Sequence, residues 1–123
     1  MVALQTLASV FETARRLVDF LEQDGFALET AAWVVDEEER GRLYLVPSDR
    51  TDGKMKLMMR VAETVSKHKD DLPERHDLRY SVVNPDNAIV QAVRSATSPD
   101  GRVRGAYSNG TYVDEAYVLR PAA

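Results

Sequence analysis

The 123-residue chain contains no cysteine. That absence excludes disulfides, thiolate-bound zinc, iron–sulfur clusters and a thiol nucleophile together, and it fits a reducing compartment. Histidine is scarce as well, with two residues, so few imidazoles are available for acid–base or metal chemistry. No apolar run approaches the ~20 residues needed to cross a bilayer. The opening Met1-Val2-Ala3-Leu4-Gln5 has neither a basic start nor an unbroken apolar stretch, and does not read as a signal peptide. The expectation is a cytoplasmic protein with no membrane partner and no cofactor.

A strong charge of either sign is also missing. The net charge of −4 argues mildly against gripping nucleic acid as the main task. The charge is unevenly spread, with Asp36-Glu37-Glu38-Glu39 in one place and Lys54, Lys56, Arg60, Lys67 and Lys69 in another. Such clusters can steer a partner, but most often they solvate a surface. What is present is ordinary globular material. Hydrophobic residues make up 44% and charged residues 29%, enough for a single domain over 1–123 with its own core and too apolar for intrinsic disorder.

The clearest local signal comes first. Leu4, Leu7, Phe11, Ala14, Val18 and Leu21 recur at spacings of three and four, widened by Val10, Leu17 and Phe20, which predicts an amphipathic helix over about 3–24. Gly25 supplies its stop. Leu28–Val35 is β-rich and apolar on both faces, as a doubly covered strand requires. The acidic connection to Arg40-Gly41 reads as a hairpin loop, followed by a strand over Arg42–Val46 that Pro47 ends. A second helix is expected after an N-cap at Thr51 or Asp52, with Met55, Met58, Met59, Ala62 and Val65 on its apolar face and Val61 beside them. Glu63 and Lys67 are spaced to pair on its surface.

Leu78, Tyr80 and Val82 alternate with Arg79, Ser81 and Val83 as a strand. Asn84-Pro85 then reads as the start of a third helix, with Ala88, Ile89, Ala92, Val93 and Ala96 buried. Two more strands, about 102–108 and 111–119, flank Asn109-Gly110, which suits a type I′ turn. The order is α-β-β-α-β-α-β-β. It predicts an α+β domain with a mixed sheet of about five strands and helices on at least one face.

Four groups of residues invite a functional reading. The loop before the second helix places Arg50 and Lys54 where backbone N–H groups can hold an anion, although no known phosphate-binding motif is matched and Asp49 and Asp52 would repel the ligand. Simple capping explains the same residues. The segment His68–Asp77 gathers both histidines with four carboxylates, yet matches no metal-site spacing, and a solvated connection accounts for it. In the last hairpin, Arg102 and Arg104 share a face near Tyr107 and Tyr112, a combination suited to protein or nucleic-acid contacts. Pairing with Asp114 and Glu115 across the sheet is the plainer explanation. Trp33 and the three methionines of the second helix could line a pliable pocket, but core packing is the commoner use.

No catalytic motif appears. Ranked by these features, the chain is expected to be a protein-interaction or regulatory module, as a homodimer or with another protein. Nucleic-acid binding through the basic second helix and the hairpin arginines comes next. A small enzyme acting on an anionic substrate near Lys54, His68 or His76 comes third.

Overall fold

A computed structural model describes residues 2–96, 98–108 and 110–121, with side chains described from Ser9 onward. It contains helices α1 (Val2–Gln23), α2 (Lys54–Lys67) and α3 (Ala88–Ala96). The strands are β1 (Leu28–Val35), β2 (Gly41–Pro47), β3 (Tyr80–Val82), β4 (Arg102–Ser108) and β5 (Thr111–Arg120). They form one mixed sheet in the order β3-β2-β1-β5-β4. Only β2 and β3 run parallel; the other neighbours are antiparallel. Fold class, element order and strand number are those expected from the sequence.

β1 lies at the centre of the sheet because it can bury both sides. Ala31, Trp33 and Val35 meet a core built with α1 and α2, whereas Ala32 and Val34 meet a second core built with α3. α1 packs over β1 and β2, α2 over α1 and β3, and α3 over β4 and β5 on the opposite face. α1 and α2 therefore cover β3, β2, β1 and, through Phe11 on Tyr117, part of β5 on one face, and α3 covers β4, β5 and part of β1 on the other.

α1 buries Val10, Ala14, Leu17, Val18 and Leu21, the stripe its periodicity predicts; Leu4 and Leu7 fall outside the described side chains. It stops where Gly25 turns to φ +88°. The Gly25 N–H reaches the Glu22 carbonyl and the Phe26 N–H the Leu21 carbonyl, which satisfies the last free carbonyls of the helix. In the β1–β2 loop, Asp36 Oδ1 accepts from the N–H groups of Glu38 and Arg40, each at 2.9 Å. With two backbone donors the carboxylate is held below its ordinary pKa, chiefly by the Arg40 N–H.

α2 departs from its expected orientation. Leu57, Val61 and Thr64 are its buried residues, with Val65 partly buried beside them. Met55 and Met59 are 73% and 57% exposed, and Met58 sits at the boundary. Taken with the buried residues, the methionines extend the apolar arc round more than half the helix, so its centre cannot be read from sequence spacing alone. The helix also begins at Gly53 with no side-chain cap, rather than at Thr51 or Asp52. Asp49, which accepts from the Thr51 N–H and hydroxyl, shapes the loop instead. Lys67 turns to Asp24 at 3.1 Å rather than to Glu63.

β3 is shorter than the expected run, and α3 starts later than Asn84-Pro85. Asn87 is its cap, with Oδ1 accepting from the N–H groups of Ile89 and Val90. Its buried face is Val90, Ala92 and Val93, while Ala96 is exposed. In β4 and β5 the two-residue alternation breaks. Val103 and Ala106, three apart, face the same core, as do their partners Ala116 and Val113. Gly105, at φ +67°, lets the strand skip that step. Asn109, expected in the hairpin turn, lies outside the described residues; Gly110 beside it takes φ +80°.

Candidate functional site

Three surfaces carry the residues of interest: a cavity and the outer face of α2, which adjoin at Lys54, and the β4–β5 hairpin at the other edge of the sheet. A cavity of about 260 Å³ opens between the carboxyl ends of β2 and β3, bordered by the starts of α2 and α3. Adjacent parallel strands whose following helices leave toward opposite faces commonly create such a crevice. The cavity does bring Arg50 and Lys54 together. Arg50, however, donates to Glu29 Oε2 at 2.8 Å and to the Pro47 carbonyl at 2.6 Å. Asp52 and Asp86 share the lining. Two cations facing two carboxylates leave no net attraction for an anion.

The histidines lie elsewhere. His68 caps the far end of α2, about 21 Å from Lys54 at 1.5 Å per residue. Its ring stacks on Phe20 at 3.9 Å between centroids, and Nε2 lies 3.1 Å from Asp24 Oδ2. Desolvation raises the Asp24 carboxyl, but hydrogen bonds from Lys67 and His68 outweigh it and hold the group below its usual range. His76 is exposed in the following loop. Lys54, His68 and His76 therefore share no pocket. Among the described residues, no three histidine, aspartate or glutamate side chains are placed to hold a metal ion. No helix among them is long and apolar enough to cross a membrane.

At the β4 edge, the hairpin residues share one face. Val103, Ala106 and Val113 point toward α3, so Arg102, Arg104, Tyr107 and Tyr112 project to the other side. Tyr107 and Tyr112 are cross-strand partners and are 70% and 56% exposed. Arg102 is engaged: it reaches Glu115 at 3.8 Å and lies 5.6 Å over the Tyr117 ring. The Tyr117 hydroxyl donates to Glu115 at 2.6 Å, a bond that pushes its pKa up. Arg104 has no carboxylate partner among the described residues. The expected cross-strand pairing thus holds for Arg102 and Glu115 but not for Arg104.

The third surface holds the methionines that the sequence suggested as core or as pocket lining. Met55, Met58, Met59 and Ala62 form a solvent-facing apolar stripe along α2, bordered by Lys54 and Lys56. Lys56 pairs loosely with Asp52 at 3.5 Å, and Lys54 has no counter-ion among the described residues. The sequence signal for this surface was the excess of apolar positions in α2 over what one packed face can bury. α2 and the β4–β5 hairpin stand at opposite edges of the sheet, about 19 Å apart at four strand spacings. The basic helix and the hairpin arginines therefore do not make one continuous surface.

No known protein family, no characterised protein and no solved structure matches this chain.

Proposed function

We propose that this chain is a non-catalytic protein-interaction module whose main binding surface is the outer face of α2. The observation that carries the reading is the exposed stripe of Met55, Met58 and Met59. Exposed apolar residues scattered singly need no explanation, but several aligned on one helix face mark contact sites. Methionine suits the task, because its unbranched thioether adapts to a partner's shape. The flanking lysines favour an acidic partner and would speed its approach.

The test is photo-crosslinking in cells from a benzoyl-phenylalanine placed at Met59, with Glu38 on the acidic hairpin tip as the control position. A discrete adduct from position 59, absent from 38 and lost when Met55 and Met58 become lysine, supports the reading. Absence of any adduct from α2 sinks it. Adduct mass separates a second copy of this chain from a different protein.

A second reading rests on the hairpin, where Arg104, without a carboxylate partner among the described residues, stands on the same face as exposed Tyr107 and Tyr112. This set suits stacking on single-stranded nucleic acid with phosphate pairing. It requires affinity that falls steeply with salt; salt-insensitive binding, or none, removes it.

A further inference from the structure

α2, with its exposed methionines, packs over β3. β3 is the last strand on its side of the sheet. Its ladder to β2 uses the Arg79 carbonyl, which accepts from Leu43 N–H at 2.8 Å, and the Val83 N–H, which donates to the Leu45 carbonyl at 2.9 Å. Leu43 aligns with Tyr80 and Leu45 with Val82. In a parallel ladder the bonds to each neighbour come from alternate residues, so 79, 81 and 83 serve β2. The N–H and C=O groups of Tyr80 and Val82 point outward, and none has a protein partner among the described residues.

The side of α2 that faces α1 is fixed by Arg60, 4.8 Å over the Phe26 ring, and by Lys67 on Asp24. Leu57 and Val61 point inward. Met58, Met55 and Ala62 therefore take the flank away from α1, on the side of the free β3 edge. Tyr80 and Val82 pack on the α1–α2 core; Ser81, bonded to Arg42, faces the other way, and Arg79 with it.

We propose that the occupant of the α2 face is an extended partner segment that adds a strand beside β3. Its apolar side chains at alternate positions lie under the methionines, and acidic side chains point to the opposite face. This deepens the α2 reading and rests on it. A partner helix would cover the methionines but leave the four outward backbone groups unanswered. An extended segment satisfies both, since strand addition draws affinity from the ladder and selectivity from alternate side chains. Charge sets the other face. Arg79 is exposed there with no carboxylate partner among the described residues, and a neighbouring strand places a side chain beside it.

The experiment uses two probes at millimolar concentration: the capped peptide Glu-Val-Glu-Ile-Glu-Val-Glu, and an acidic amphipathic helical peptide as comparison. NMR of the full chain reads methionine methyl shifts and amide hydrogen exchange together. In the free protein the Tyr80 and Val82 amides should exchange much faster than those of Ser81 and Val83. With the extended peptide they should slow by about tenfold or more, with shifts at the Met55 and Met58 methyls, and Arg79→Glu should weaken both responses. Methyl shifts without amide protection, or shifts with the helical peptide alone, overturn strand addition while leaving the α2 face in use. Silence at both sets of signals with both peptides overturns the two readings together.

Discussion

The indole ring of Trp33 occupies the space that a side chain on Gly41 would need. The two residues face each other diagonally across the β1–β2 hairpin, where Trp33 aligns with Leu43 and Val35 with Gly41. Trp33 is 1% exposed and tilts against Phe11 at 6.1 Å, so the ring has nowhere to retreat. A glycine that read as loop chemistry in the sequence is thus a packing requirement of the core.

Gly41→Ala should destabilise the protein by about 1–3 kcal/mol through overpacking. Combined with Trp33→Leu, which clears the ring, the two changes should cost less than their sum. Urea unfolding of the four species in the cycle measures this; strict additivity would mean that the ring does not limit position 41.

The facing of α2 has a direct consequence. Leu57→Ala should cost about 2–4 kcal/mol, as buried leucines do. Met55→Gln and Met59→Gln should stay within about 0.5 kcal/mol, as exposed positions do. Denaturation midpoints decide it, and a large loss at Met59 would put the methionines in the core after all.

Asn87→Ala should cost about 1 kcal/mol, the usual value of an N-cap, because Ile89 and Val90 lose their acceptor. Asn84→Ala should cost less, since Asn84 contributes its backbone carbonyl to the turn that reaches Asn87 N–H. Thermal melts of the pair test which asparagine starts α3.

Asp36 gives a pH dependence. Its carboxyl lies below the ordinary 3.8 in the folded chain, so the unfolded state binds the proton more readily there. The stabilisation is full above the ordinary carboxylate range and is lost as pH falls below it through the folded value. Asp36→Asn keeps an acceptor oxygen but not the charge. It should therefore lower stability at pH 6 by a few tenths of a kcal/mol to about 1 kcal/mol, as befits an exposed group, and the gap should narrow as pH falls below the ordinary carboxylate range. A difference that grows on acidification would reverse the sign and refute the assignment.

Much of the fold was legible because local physics and tertiary demand agree. The stripe in α1, the positive φ at Gly25 and the double-sided apolar run of β1 each have one economical solution. The candidate sites were less legible. Arg102, Arg104, Tyr107 and Tyr112 could be placed on one face by alternation alone, yet that alternation breaks at Gly105 and survives for them because both strands skip together. Arg50 and Lys54 were close in sequence and do meet in one cavity, with Asp52 foreseeable beside them, but Glu29 and Asp86 reach it from distant segments.

Hydrophobic period, turn residues and chain stops act over a few residues, so the elements, their order and the class of fold follow from local pattern. The sequence also excluded thiol chemistry, because no cysteine is present. Tertiary structure alone decided which arc of α2 turns inward, because an apolar arc wider than one packing face leaves that choice to the shape of the cavity it must fill. It alone packed α2 over the edge strand β3 with its methionines outward. That juxtaposition joins residues more than twenty positions apart, and it exists only because α2 crosses over to bring β3 parallel to β2.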